Sequence, residues 1–200
     1  MKHPFEDEVQ KVRKNDYSIH PLIINRWSPR SMTGEEMSKE ELMPLFEAAR
    51  WAPSSYGNQP WRFLYARKNT PSWPLFFELM GDFNKGWAKN ASALVLVISG
   101  KNFAHNGKPS RTHSFDAGAA WVSMALEGAG RGLVMHGMEG FDYERAKKDL
   151  SIPDDYQVEA LVAIGKRAPP ENLPEELQKR EAPSGRKPLN EIAIEGKFQK

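Results

Sequence analysis

"SKEELMPLFEAARWAPSSYGNQPWRF", residues Ser38 to Phe63, combines a strong helix signal with a loop of unusual composition. Ser38 is a good N-cap, and Glu41 stands three residues on, the spacing of a capping box. Leu42, Leu45, Phe46, Ala48 and Ala49 recur on one face at helical spacing. A buried helix follows, stopping before Pro53 because a residue ahead of proline disfavours the helical region. The loop beyond it sets Trp51, Tyr56, Trp61 and Phe63 among Pro, Ser, Gly, Asn and Gln. Solvent-facing turns do not need that much aromatic surface. Ser54, Ser55, Asn58 and Gln59 beside those rings suit a flat heteroaromatic ligand, which needs edge hydrogen bonds and an apolar face. The alternative is a loop whose aromatics plug the core.

Working outward, residues 62–68 (RFLYARK) alternate as a strand, and 93–100 (ALVLVISG) are apolar and β-branched enough for a strand buried on both faces. Between them, 71–90 carries one helix and a polar turn. Asp116 is placed to cap a second strong helix over 117–130, whose Ala and Gly content calls for close packing against its own domain or a second copy. Further strands are expected in 133–141 and 160–168, separated by a helix near 142–150. Residues 1–20 form a peripheral helix or arm. Residues 21–168 form the main domain. From 169 to 200 the chain is rich in Pro, Glu and Lys, with little apolar surface for its own body; it is disordered or wraps a partner.

The totals exclude several function classes. A chain of 200 residues with 40% hydrophobic and 27% charged residues suits one packed domain. The formal charge of +2 gives no electrostatic footprint for nucleic acid. There are no cysteines, so disulfides, thiolate zinc sites and thiol catalysis are out. The polar start, "MKHPFEDEVQKVRKND", reads as neither signal peptide nor anchor, and no apolar run approaches the roughly 20 residues that span a bilayer. A cytoplasmic protein is expected. No P-loop is present, and "GAGRG" ends a helix where a dinucleotide fingerprint must follow a strand. The five histidines show no metal spacing and no triad partner; His113 and His136 read as ordinary loop and core residues.

Three other stretches carry possible chemistry. Arg26, Ser28 and Arg30 in "NRWSPRS" set two guanidiniums around a hydroxyl, suited to a phosphate or to a solvated basic turn. Arg186 and Lys187 are basic residues in the tail. In "HGMEGFD", Gly137 and Gly140 permit close approach of backbone to a ligand, and a buried Glu139 is a weak candidate for moving a proton; a strand-end turn explains the glycines equally well.

Taken together and in this order, "RWSPR", "EAARWAPSS", "QPWRF", "GMEGFD" and "GRKPLNEI" resemble the nitroreductase family of flavin-dependent oxidoreductases, over about residues 21–192. The resemblance implies an α+β fold with a central mixed sheet flanked by helices, in an intertwined homodimer. It implies FMN held without a covalent bond at the subunit interface, with NADH or NADPH as electron donor. The phosphate falls to Arg26, Ser28, Arg30 and Arg186, with Lys187 beside them, and Trp27 within the same segment counts among the cofactor-binding residues. Pro53, Ser54 and Ser55 approach the ring from the other subunit, and Asn58 and Gln59 of the same loop count among the cofactor-binding residues. Asn84 matches a ring-binding asparagine, and Gly137, Met138, Glu139 and Gly140 lie along the ring. The family commonly has Asn two places before the Gln of "QPW"; here that place is Gly57 and Asn58 comes one later.

The implied activity is a two-step exchange: a nicotinamide delivers hydride to the flavin and leaves, and a nitroaromatic, quinone or similar electron-poor acceptor takes its place. Flavin reduction, reductive dehalogenation or simple FMN binding are the rival tasks for the same fold. The cofactor does the redox work, so no triad, metal or cysteine is required of the protein.

Overall fold

The computed structural model describes residues 3–198. In chain order it contains helices α1 (Glu6–Gln10), α2 (Pro21–Asn25) and α3 (Lys39–Arg50), strand β1 (Trp61–Arg67), helices α4 (Trp73–Phe77) and α5 (Asp82–Ala88), and strand β2 (Ala93–Gly100). Then come α6 (His113–Gly130), β3 (Leu133–Met138), α7 (Tyr143–Asp149), β4 (Tyr156–Lys166), α8 (Glu175–Gln178) and α9 (Leu189–Ile192).

The strands form one sheet in the order β1-β2-β4-β3, with every neighbouring pair antiparallel. The expected mixed sheet therefore needs correcting: no parallel pair occurs among the described residues. β2 and β4 are central; β2 is buried almost throughout, which is why its sequence reads as a continuous apolar run, and β4 is buried over residues 161–165. Alternation along β2 divides the interior. Leu94, Leu96 and Ile98 face one core, with Trp27, Phe76 and Trp87. Ala93, Val95 and Val97 face the other, with Leu42, Leu45, Ala120 and Met124 from α3 and α6. The architecture is α+β, with helices on both faces of the sheet.

Helix α3 begins as its sequence predicts. Ser38 N–H donates to Glu41 Oε2 at 2.8 Å and Glu41 N–H donates to Ser38 Oγ at 3.1 Å. A cap of this kind stabilises a helix by about 1 kcal/mol. Helix α6 starts earlier than expected. Its N-cap is Thr112, and Asp116 lies inside the first turn, its Oδ2 accepting the Ser55 N–H at 3.1 Å. A carboxylate in a helix's first turn can reach backbone outside the helix, and here it ties down the loop before β1. The small residues of α6 pack on the chain's own sheet. A Cβ added at Gly128 would stand 2.6 Å from Met135 Sδ.

Residues 71–90 hold two short helices, not one, because the chain breaks between Glu78 and Gly81. The tail also departs from expectation. Leu173 and Leu177 are buried in the chain's own core, and Glu181 is buried beside Arg30. Two well-spaced leucines and one carboxylate suffice to dock a Pro-rich segment. Beyond Pro183 the described tail is exposed.

Candidate functional site

The segment Arg26–Arg30 is held against the β3 edge of the sheet from both sides. His136, on β3, places Nδ1 2.7 Å from the Ser28 carbonyl and 3.2 Å from that of Pro29, so Nδ1 carries the proton and donates. Burial, reinforced by the nearby Arg30 guanidinium, holds the His136 pKa below its ordinary value, although the two carbonyls oppose that shift. From the other side, Glu181 accepts the N–H groups of Arg30 and Ser31. Just beyond, Met32 bridges to Arg167 at the end of β4.

Within the segment, Arg26 Nη1 donates to Ser28 Oγ at 3.2 Å. Desolvation lowers the Arg26 pKa, and Arg186 lowers it further, so these two cations share one environment. Trp27 is buried with the Arg167 guanidinium 5.1 Å from its ring centroid, and its Nε1 has no hydrogen-bond partner. Arg30 Nε is likewise buried without a partner. Such orphaned donors are rare in native interiors and call for an acceptor. Lys187 lies with Arg186 on the wall of a cleft of about 800 Å³.

The chain continues from His136 into Gly137, which is exposed on the sheet's edge strand. An edge strand leaves alternate N–H and C=O groups unpaired on its outer side. At its far end, Asn84 Nδ2 donates to Gly140 O at 2.9 Å while Asn84 Oδ1 accepts from Trp87 Nε1 at 3.2 Å. Asn84, Met138 and Gly140 are thus brought together. Glu139 is exposed, which corrects the expectation of a buried acid there: the turn points its side chain away from the core.

The loop Pro53–Gln59 lies elsewhere. It enters β1, at the opposite edge of the sheet from β3, so one chain does not bring it to Arg26 and Gly137. Ser54 Oγ accepts from Gln59 N–H at 3.0 Å, and Tyr56, Gly57 and Gln59 all take positive φ. Asn58 is committed within the chain: Oδ1 accepts from Ala104 N–H at 2.9 Å and Nδ2 donates to Asn102 O at 3.4 Å. The loop's aromatics do not anchor it as a set. Trp61 is buried, but Trp51 is 77% and Tyr56 87% exposed. Phe115, in the first turn of the neighbouring α6, is 80% exposed.

The sequence signature of the nitroreductase family matches residues 23–72, which span the Arg26–Arg30 segment, α3 and the loop. The chain superposes on a solved oxidoreductase containing FMN with a TM-score of 0.90 and 49% identity, covering 94% of this chain and 96% of that one. The chain belongs to the nitroreductase family. It is also similar to a protein from Desulfovibrio desulfuricans solved in complex with FMN, with 26% identity and a TM-score of 0.69 over 91% of this chain and all of that one. It is 34% identical over 129 residues to an uncharacterized 15.4 kDa protein of Mycolicibacterium smegmatis, covering 62% of this chain and 84% of that protein.

The chain also carries polar groups that its sequence did not disclose. Ser99 on β2, His113 and Ser114 at the start of α6, and Glu159 on β4 form one cluster. Ser99 Oγ donates to Glu159 Oε1 and lies 2.7 Å from His113 Nδ1, and Ser114 Oγ donates to Glu159 at 2.8 Å. Since Ser99 has a single hydroxyl proton, His113 Nδ1–H is the donor to its oxygen. No spacing rule links positions 99, 113 and 159; the irregularity between β2 and β4 leaves Glu159 outside the register near Ser99, and the start of α6 brings His113 to them. Among the described residues, no helix is long and apolar enough to cross a membrane.

Proposed function

We propose that the chain is an NAD(P)H-dependent FMN oxidoreductase that acts as a homodimer. It passes electrons from NADH or NADPH to nitroaromatics, quinones or similar electron-poor acceptors in two alternating half-reactions. The observation carrying this reading is a continuous track along one sheet edge. Ser28 touches both the Arg26 guanidinium and, through its carbonyl, the His136 ring; Gly137 follows His136 directly, and Gly140 ends the track on Asn84.

The residues present fit FMN. A phosphate dianion requires cations in a partly desolvated place, and Arg26 and Arg186 stand there with the Ser28 hydroxyl. Arg30 and Trp27 keep buried N–H donors without acceptors. The exposed edge of β3, bare of side chain at Gly137, admits a flat ring against backbone. When bound, FMN supplies the hydride chemistry.

The chain's own groups then bind, orient and enclose. Arg26, Ser28, Arg30 and Arg186, with Lys187 on the rim, hold the phosphate. The backbone of Gly137, Met138, Glu139 and Gly140 lies along the ring, and Asn84 fixes Gly140 in place. Pro53, Ser54 and Ser55 reach the ring from the partner, because within one chain they sit at the wrong edge. Trp51, Tyr56, Phe115 and Val122 supply the exposed apolar surface that such a dimer covers. Glu139 is open to water, so protons at this end exchange with solvent.

The test is the visible spectrum of purified protein, followed by anaerobic titration with each nicotinamide. Flavin bands that bleach on adding NADH or NADPH are expected. A colourless protein that gains no bands with added FMN removes the reading. Bleaching without turnover of any nitro or quinone acceptor moves the activity to free flavin or a halogenated substrate.

A further inference from the structure

Three remote segments bring arginines to one place: Arg13 after α1, Arg26 after α2, and Arg186 before α9. Arg13 Nε donates to Ser184 O at 2.9 Å, and Arg186 Nη1 donates to the same oxygen at 3.3 Å, so the two guanidiniums flank a single carbonyl. Arg13 Nη1 donates to Arg26 O at 2.9 Å and to Ile24 O at 2.8 Å. All three arginines line the same cleft, together with Lys14 and Lys187. Among the described residues none of the three arginines forms an ion pair, and Asp16 on the same wall pairs with none of them.

Like charges gathered without a counter-ion raise one another's free energy. Burial, then Arg186 and Arg26, push the Arg13 pKa down to about 10, while Arg186 acts on Arg26 in the same sense. Arg13 still carries its charge at neutral pH. Its hydrogen bonds here go to carbonyl oxygens, which orient the guanidinium but neutralise nothing. What would relieve the cluster is an anion, and the Ser28 hydroxyl beside Arg26 supplies the polar wall for one.

We propose that Arg13 is a further arm of the phosphate clamp beside Arg26 and Arg186, making the N-terminal segment part of cofactor selection. It binds the phosphomonoester of the flavin directly and so distinguishes FMN from riboflavin. This rests on the proposed function for the identity of the ligand, and on the arginine geometry for the anion. It gives residues 11–16 a task, which their sequence alone did not suggest.

The experiment titrates apoprotein with FMN and with riboflavin, following quenching of flavin fluorescence, for wild type, R13Q, R13K and R186Q. In parallel, the melting temperature of the apoprotein is read with and without inorganic phosphate. The expected result for R13Q is a loss of FMN affinity of roughly tenfold to a hundredfold, the range for one charged hydrogen-bonding partner, with riboflavin affinity unchanged. R13K should fall between, and the melting shift given by phosphate should shrink in R13Q.

Equal losses for FMN and riboflavin would mean that Arg13 only ties Ile24, Arg26 and Ser184 together, and the proposal is overturned. So it is if R13Q keeps wild-type FMN affinity. If wild type binds neither flavin, the functional reading fails separately. The phosphate arm then decides the clamp, and a melting temperature indifferent to phosphate in wild type ends it.

Discussion

Glu181 accepts the backbone N–H of Arg30, 151 residues earlier in the chain, at 2.9 Å, and its side chain has no exposure to solvent. The same carboxylate takes the Ser31 N–H and Arg167 Nη1, each at 2.8 Å. A docked tail therefore fixes the backbone from which Arg30, one of the proposed phosphate ligands, projects. Its burial is tolerable because three donors and one full positive charge surround it.

Removing that carboxylate takes the shared acceptor from the Arg30 and Ser31 N–H groups and leaves Arg167 with Glu8 as its ion-pair partner. Glu181→Ala should cost about 3–5 kcal/mol of stability, the usual penalty for breaking a buried ion pair from one side. Chemical denaturation would show it as a lower midpoint with an unchanged slope. A midpoint within experimental error of wild type would mean the tail does not hold the segment.

Acid should loosen the same region through His136. Its folded pKa lies below the unfolded value, so the unfolded chain binds the extra proton first as pH falls. The contribution is fully present above the unfolded pKa of about 6.5 and is lost as pH falls below it toward the folded pKa. Melting temperatures measured from pH 8 to pH 5 should therefore decline, and His136→Gln should flatten that part of the curve.

Gly140→Ala tests the other end of the track. A Cβ there would stand 2.8 Å from Asn84 Nδ2 and displace the amide that bonds Gly140 O. Affinity for FMN and riboflavin should drop together, by about tenfold for one lost and misplaced hydrogen bond. A loss confined to FMN would place the ring elsewhere.

Phe115 and Val122 lie seven residues apart on α6, two turns along one face, and both are exposed. Phe115→Glu with Val122→Glu should yield a monomer by light scattering, with its circular dichroism retained and its flavin lost. Wild type that is already monomeric would remove the dimer from the proposal.

The sequence by itself determined much of this. Ser38 and Glu41 marked the start of α3 because a capping box is local chemistry, and β2 declared itself because a strand buried on both faces has no polar position to spare. The family was legible because its motifs are short and contiguous. Tertiary structure alone decided what lies between segments. Arg13 reads as one more charge in a polar arm until Ser184 and Arg26 fold beside it. Glu181 reads as solvated tail until Leu173 and Leu177 carry it inward. Ser99, His113 and Glu159 become one cluster only when β2, β4 and the start of α6 pack together. Hydrogen bonds and charge pairings depend on distance in space, and a sequence records order along the chain, so residues joined across the sheet leave no trace in local pattern.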